Sequence, residues 1–188
     1  NWGKGGAQGW SYANCLPYFR WAETFDKGAN AYRGGSGPMK IETSKAQGPL
    51  YEAFLASGQQ MGLKHVADHN AFQQEGVHIT QRNIHNGIRC SSYEGYIRSQ
   101  PRKANLSVFT NTRVTGIEMS NKRAFRVNWV RDGQACSLDV ERETILCGGA
   151  INSPQLLQLS GIGNADDLRS AGVAVAHHLP GVGYGLKD

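Results

Sequence analysis

Proline is scarce, neither charge dominates, and no long apolar run occurs. The 188 residues hold 6 Pro, and the 24 Gly follow no three-residue period, so a collagen-like helix is excluded. No stretch approaches the ~18 consecutive apolar residues that suggest a membrane-spanning helix. Lys and Arg number 20 and Asp and Glu 15, a formal net charge of +5. With 4 Trp, 7 Tyr and 6 Phe, the chain has too much apolar material for a disordered segment. Its basic residues are scattered: Lys4, Arg20, Lys27, Arg33, Lys40 and Lys45 are spread out, and Arg98, Arg102 and Lys103 come nearest to a cluster. Nucleic-acid binders gather such residues on one face, so no nucleic-acid partner is expected.

Cysteine pairing signals are also missing. Cys15, Cys90, Cys136 and Cys147 form no CxxC or zinc-type pair. The expectation is buried free thiols in a reducing compartment. The first residues, Asn1-Trp2-Gly3-Lys4-Gly5-Gly6, lack the apolar core of a secretory signal. A cytoplasmic location is expected, with peripheral attachment at the inner membrane face as the variant a basic surface would favour. No Met opens the chain, which suggests a processed chain or a fragment. The length suits one domain, and a chain of this size is expected to bury roughly 70% of its unfolded surface.

What is abundant is glycine, at nearly twice the usual ~7%. Glycine permits tight turns and close backbone approach. Residues 1–9 read as a Gly-rich loop. Ser11 caps a helix through Tyr12 to Leu16, Pro17 should kink it or start a second turn, and Tyr18 to Glu23 continues it. Asp26 to Pro38 reads as a second Gly-rich loop, and Met39 to Thr43 alternates as a strand. Leu50 to Met61 has helical spacing with Gly62 as its stop. Glu75 to Ile84 alternates as a strand with Val77 and Ile79 on one face and His78 and Thr80 on the other. Asn86-Gly87 marks a turn. Ser91 or Ser92 caps a helix through Tyr93, Tyr96 and Ile97, broken at Pro101.

From Asn105 onward, short strands follow one another: Leu106 to Thr110, Arg113 to Met119, Ala124 to Arg131 and Ala135 to Val140. Asn121-Lys122 and Asp132-Gly133 supply the turns of a β-meander. A further apolar strand, Thr144 to Cys147, leads into Gly148-Gly149-Ala150-Ile151-Asn152-Ser153-Pro154 and a helix ending at Gly161. Ser153 is a natural N-cap and Pro154 a natural first helical residue. Strand, bare turn and helix N-terminus together have two readings. One is a tight turn packed on a neighbour; the other is a cradle for an anionic or nucleotide ligand.

The exact run Gly148 to Gly163 resembles the second signature of the glucose–methanol–choline (GMC) oxidoreductase family. Other segments are similar to that family in the same order: Gly9 to Phe19, Tyr32 to Pro38, Asn70 with Gln74 to Val77, Asn86 to Ser91, and Leu179 to Gly183. Tyr12 to Tyr18, Thr43-Ser44-Lys45 and Leu146-Cys147 are in the style of its choline dehydrogenase branch. The resemblance implies an α+β chain made of part of an α/β FAD-binding fold and part of a substrate domain. Residues 1–100 would be mixed lid, substrate-domain and connecting region; 101–188 would be a partial FAD-binding domain with the meander and the signature. It implies FAD as cofactor, a small primary alcohol such as choline as substrate, and oxidation to the aldehyde by hydride transfer to the flavin. Val114 would match the meander position whose backbone meets the adenine, and Cys147, Gly148 and Gly149 would line the adenosine side.

The family's GxGxxG fingerprint for the pyrophosphate and its catalytic His with a second His or Asn have no counterpart here. In the last run, Gly183 to Asp188, Gly185 stands where the family has Asn. The resemblance therefore implies a middle segment, inactive alone and completed by missing N- and C-terminal parts, with an unassigned electron acceptor. A folded module that binds no flavin is the alternative. No catalytic residue and no metal site is assigned. Val114 alone reads as a core valine. His65 and His69 read as a solvated loop pair, His78 and His85 as surface residues, and His177 and His178 as diverging neighbours. Ser153 and Ser160 read as cap and turn residues, and Glu141, Arg142 and Glu143 as a solvated edge.

Overall fold

The computed structural model describes residues 2–45, 47–99, 101 and 103–186. Asn1 of the opening loop, Arg102 of the basic group, and Lys187 and Asp188 of the final run lie outside the described residues. The chain divides into two compact units, Asn1–Leu106 and Ser107–Asp188. Both mix short sheets with helices in an α/β arrangement.

In the first unit, α1 (Tyr12–Ala22) starts at Ser11, whose hydroxyl accepts from the Asn14 amide. The helix runs without interruption past Pro17, where a kink or the start of a second turn was expected. Strand β1 (Glu23–Phe25) lies parallel to β2 (Met39–Thr43), which pairs antiparallel with β3 (Gln81–Arg82). Helix α2 (Pro49–Gln60) closes at Gly62, with φ +85°. The Gly62 amide donates to Gln59 and the Leu63 amide to Gly58, a Schellman stop. β4 (Ile84–His85) and β5 (Ile88–Arg89) form a hairpin on Asn86-Gly87, both with positive φ. The Glu94–Arg98 turn is a π-helix, with Ser91 Oγ accepting from the Glu94 amide.

A buried cation organises this unit. Arg33 is 5% exposed and lies 3.3 Å from Glu23 and 3.5 Å from Asp68, with its guanidinium 4.1 Å above the Phe25 ring. A buried charge requires such partners. The glycines that follow let the loop lie against the end of α1. A Cβ at Gly34 would stand 1.8 Å from the Arg20 carbonyl oxygen, and one at Gly37 2.3 Å from the Ala22 carbonyl carbon.

In the second unit, β6 (Thr112–Ser120), β7 (Arg123–Arg131) and β8 (Gln134–Asp139) form the expected antiparallel meander. Asn121, Lys122, Asp132 and Gly133 all have positive φ, as two-residue hairpin turns of matching twist demand. Helix α3 (Gly149–Leu159) packs on β6. The short strand β9 (Ile162–Gly163) pairs parallel with β10 (His177–His178), and α4 (Ala165–Ser170) lies between them in sequence.

Several expectations are corrected. Residues 106–110, 144–147 and most of 75–80 belong to no strand, although Val77 makes a single bridge to His65. Their composition suits strands, but among the described residues no ladder forms along them beyond the single Val77 bridge. Ser153 and Pro154 fall inside α3 rather than at its start. The expected core is also small: buried apolar residues are few, among them Phe25, Val66, Ile117, Ile162 and Leu168. Of the cysteines only Cys90 is buried; Cys15 and Cys136 are half-buried and Cys147 is exposed. Among the described residues, no helix is long and apolar enough to cross a membrane.

Because the Gly34 contact is with backbone, no side chain can turn aside to relieve it. Gly34→Ala is expected to cost about 3 kcal/mol or to prevent folding of the first unit. Gly5→Ala, whose Cβ meets nothing within 4 Å, should stay within about 0.5 kcal/mol. Urea unfolding followed by tryptophan fluorescence measures both.

Candidate cofactor-binding site

A cavity of about 980 Å³ opens in the second unit between β6, the 144–148 segment and α3. Its lining includes Val114, Cys147 and Gly148, three of the four residues singled out from the sequence. Gly149 is not among the lining residues; its contribution is conformational. Its φ of +82° lies in the left-handed region, which lets the chain turn from the 144–148 segment into the helix.

Each wall has a local cause. On β6, the pairing register breaks between Val114 and Gly116, a β-bulge that takes Thr115 out of the ladder. Val114 is 41% exposed and faces the cavity, so its reading as a core valine is corrected. On the opposite wall, Gly148 is close to Asn152 and Ser153: an added Cβ would meet Asn152 Cβ and the Ser153 nitrogen at 3.2 Å. The Gly148 amide donates to Ser153 Oγ at 3.0 Å. Ser153 thus satisfies the amide that precedes the helix, from within the helix rather than from its N-cap.

Ser160 joins helix and sheet. Its hydroxyl donates to the Leu156 carbonyl at 2.6 Å and accepts from the Ile117 amide at 2.8 Å. Ile117 is buried and follows the bulge, so one side chain anchors β6 against the end of α3. Read along the chain, Ser160 was only a turn residue; a partner 43 positions away leaves no local signal.

The lining chemistry suits a nucleotide-like ligand. It carries no carboxylate, and Arg113 is its one charged side chain. Thr144 Oγ1 is buried without a hydrogen-bond partner and belongs to the lining, so a polar ligand atom could satisfy it. Thr144, Arg113, Thr115 and Asn152 were not picked out from the sequence. Their participation follows from the bulge and from the missing strand at 144–147, neither of which has a local pattern. The histidines lie elsewhere. His65 is in a loop and His85 sits 3.3 Å from Glu42. His178 Nδ1 accepts from the Ala165 amide. His78 is half-buried and stacks on His69, which corrects its reading as a surface residue. Among the described residues, no group of three or more His, Cys, Asp and Glu could hold a metal ion.

In fold, the chain is similar to an FAD-dependent oxidoreductase from Chaetomium thermophilum, with a TM-score of 0.85 and 27% identity over 96% of this chain and 34% of that one. The model of the GMC oxidoreductase family matches residues 1–188, and the chain belongs to that family. It is 46% identical over 187 residues to the mitochondrial choline dehydrogenase of Mus musculus, covering 100% of this chain and 31% of that protein. It is 44% identical over 191 residues to the oxygen-dependent choline dehydrogenase of Stenotrophomonas maltophilia, covering 100% of this chain and 34% of that protein. Among solved structures, pyridoxine 4-oxidase from Mesorbium loti is similar with a TM-score of 0.84 and 29% identity, over 93% of this chain and 35% of that one. The chain thus spans about a third of the length of the curated relatives it matches.

Ser160→Ala would leave the buried Ile117 amide without an acceptor. A loss of about 1–3 kcal/mol is expected for the second unit. Hydrogen exchange at the Ile117 amide should accelerate more than at amides of β8.

Proposed function

We propose that this chain supplies the adenosine-side wall of the FAD site in an oxidoreductase that converts a primary alcohol, choline in our reading, to its aldehyde. The observation that carries the proposal is the cavity where Val114, Cys147 and Gly148 meet. Identity of 42–46% to proteins named choline dehydrogenase supports the substrate. When bound, FAD would supply the acceptor for hydride from the alcohol carbon.

The chain's own residues would bind and orient. Gly148 presents bare backbone, so a planar base can approach without meeting a Cβ. Val114 offers backbone and an apolar surface from the bulged edge of β6. Thr144 Oγ1 offers a hydrogen bond, and Arg113 a positive charge that would favour an anionic portion of the ligand. The lining holds neither histidine nor carboxylate to take a hydroxyl proton at neutral pH. We therefore assign no alcohol oxidation to these 188 residues alone.

Titration of the chain with AMP is expected to shift the amide resonances of Val114, Cys147 and Gly148 first. Gly148→Val should weaken that response about tenfold, by crowding Asn152 and Ser153. Failure of both AMP and FAD to shift these amides would favour the module that binds no flavin. Flavin absorbance between 400 and 500 nm retained through gel filtration would show a site needing no further segment. Choline-dependent dye reduction by the chain, above a buffer control, would overturn the assignment of inactivity.

A further inference from the structure

In the first unit, a chain of hydrogen bonds runs from a buried ion pair to a histidine. Asp68 Oδ2 faces Arg33 Nε at 3.5 Å. The other oxygen, Oδ1, accepts from Gln81 Nε2 at 2.9 Å and from the Asn70 amide at 3.0 Å. Gln81 Oε1 then accepts from Asn70 Nδ2 at 2.9 Å, and the same Nδ2 lies 3.2 Å from His69 Nε2.

This chain has a direction. Asp68, paired with Arg33, can only accept, so it must face the NH₂ end of Gln81. That orientation leaves Gln81 an oxygen to offer, so Asn70 must present its own NH₂. His69 Nε2 then meets a donor and must be an unprotonated acceptor. The ring proton is left on Nδ1. Reversing any single amide would set oxygen against oxygen or donor against donor.

We propose that Asp68, Gln81, Asn70 and His69 form a one-way hydrogen-bond relay that keeps His69 neutral and makes the seating of the 65–82 segment sensitive to acid. Gln81 lies on β3, paired with Thr43 of β2, so the relay fastens the Asp68–Asn70 turn to the sheet. A proton added to His69 Nε2 would face the Asn70 NH₂ and oppose the last link, pressing Asn70 to turn away from Gln81. The His69 ring also stacks on His78, with centroids 4.0 Å apart and planes at 20°, and the Nδ1 atoms of both rings are buried without partners. Two protonated rings cannot share that stack without strong repulsion.

The charged groups around His69 largely agree. Burial lowers its pKa from 6.5, and His78 lowers it further. Asp68, in the same turn, acts to raise it, and Arg33, from the loop after β1, lowers it. Glu23 of β1 lies behind Arg33, at 3.3 Å from its Nε. The folded-state pKa therefore lies below the unfolded one, so the unfolded chain binds the extra proton first. Stability from this group is complete above pH 6.5 and is lost as the pH falls from there through the lowered value.

Long-range ¹⁵N–¹H correlation spectra of the ¹⁵N-histidine-labelled full chain test the relay. At pH 7.5, His69 should show a protonated Nδ1 and a bare Nε2, with a titration midpoint below 6.5. The Val66 and Val77 amides, which donate to the Val77 and Lys64 carbonyls, should shift with the same midpoint. Gln81→Met frees the Asn70 amide to turn its oxygen toward His69. That variant should raise the His69 midpoint toward 6.5 and mix its tautomers. A protonated Nε2 in the parent chain at pH 7.5 would overturn the proposal even if the variant did not fold. So would an unmoved midpoint in folded Gln81→Met, which would assign the shift to burial and the neighbouring charges rather than the relay. Val66 and Val77 amides that ignore the His69 midpoint would overturn the coupling to the segment.

Discussion

The Ser160 hydroxyl is the connection on which the cavity depends. It holds the C-terminal turn of α3 and the buried Ile117 amide of β6 at hydrogen-bond distance from one oxygen. β6 is the edge strand of its sheet, so an amide on its outer side, such as that of Ile117, meets no neighbouring strand. Ser160 supplies the missing acceptor from the helix. Helix and bulge are thereby fixed to each other, and the space between them becomes a cavity of definite lining. At the other end of the helix, the Gly148 amide bonds to Ser153 Oγ and fixes the entering turn to the helix itself.

The first unit solves a different problem with similar means. Its interior holds a guanidinium, so Glu23, Asp68 and the face of Phe25 must converge on Arg33. That convergence draws together β1, the Gly34–Gly37 loop and the turn at Asp68. The loop can come close only because it lacks side chains where Arg20 and Ala22 present their backbone. Glycine thus serves distinct purposes in this chain. At Gly34 and Gly37 it prevents collision, at Gly62 and Gly149 it allows a left-handed backbone, and at Gly148 it leaves a surface bare.

The parts of the fold legible in the sequence were those with local causes. Asn86-Gly87, Asn121-Lys122 and Asp132-Gly133 all turn as expected, because positive φ is cheap for their Asn, Asp and Gly; Lys122 adopts it as the second residue of its hairpin turn. Ser11 caps α1 and Gly62 stops α2 for equally local reasons. Strand β2 and the meander follow alternation that neighbouring strands reward. Thr144 to Cys147 has as good a strand composition, yet no ladder forms there. For the candidate site, Val114, Cys147 and Gly148 were named from the resemblance and do surround one cavity, but Thr144, Arg113 and Ser160 were not foreseen.

By itself the sequence determined the turns, the Ser11 cap, the Gly62 stop, the hairpin order and the membership of the GMC oxidoreductase family. Steric limits on φ and ψ act within a few residues, and a family signature is a string. Tertiary structure alone decided which alternating segments became strands and how the helix meets the bulge. It also decided that His69 and His78 stack and where the relay from Asp68 ends. Those outcomes depend on partners many positions away, and a donor or acceptor gives no sign in the sequence of which distant group it will meet.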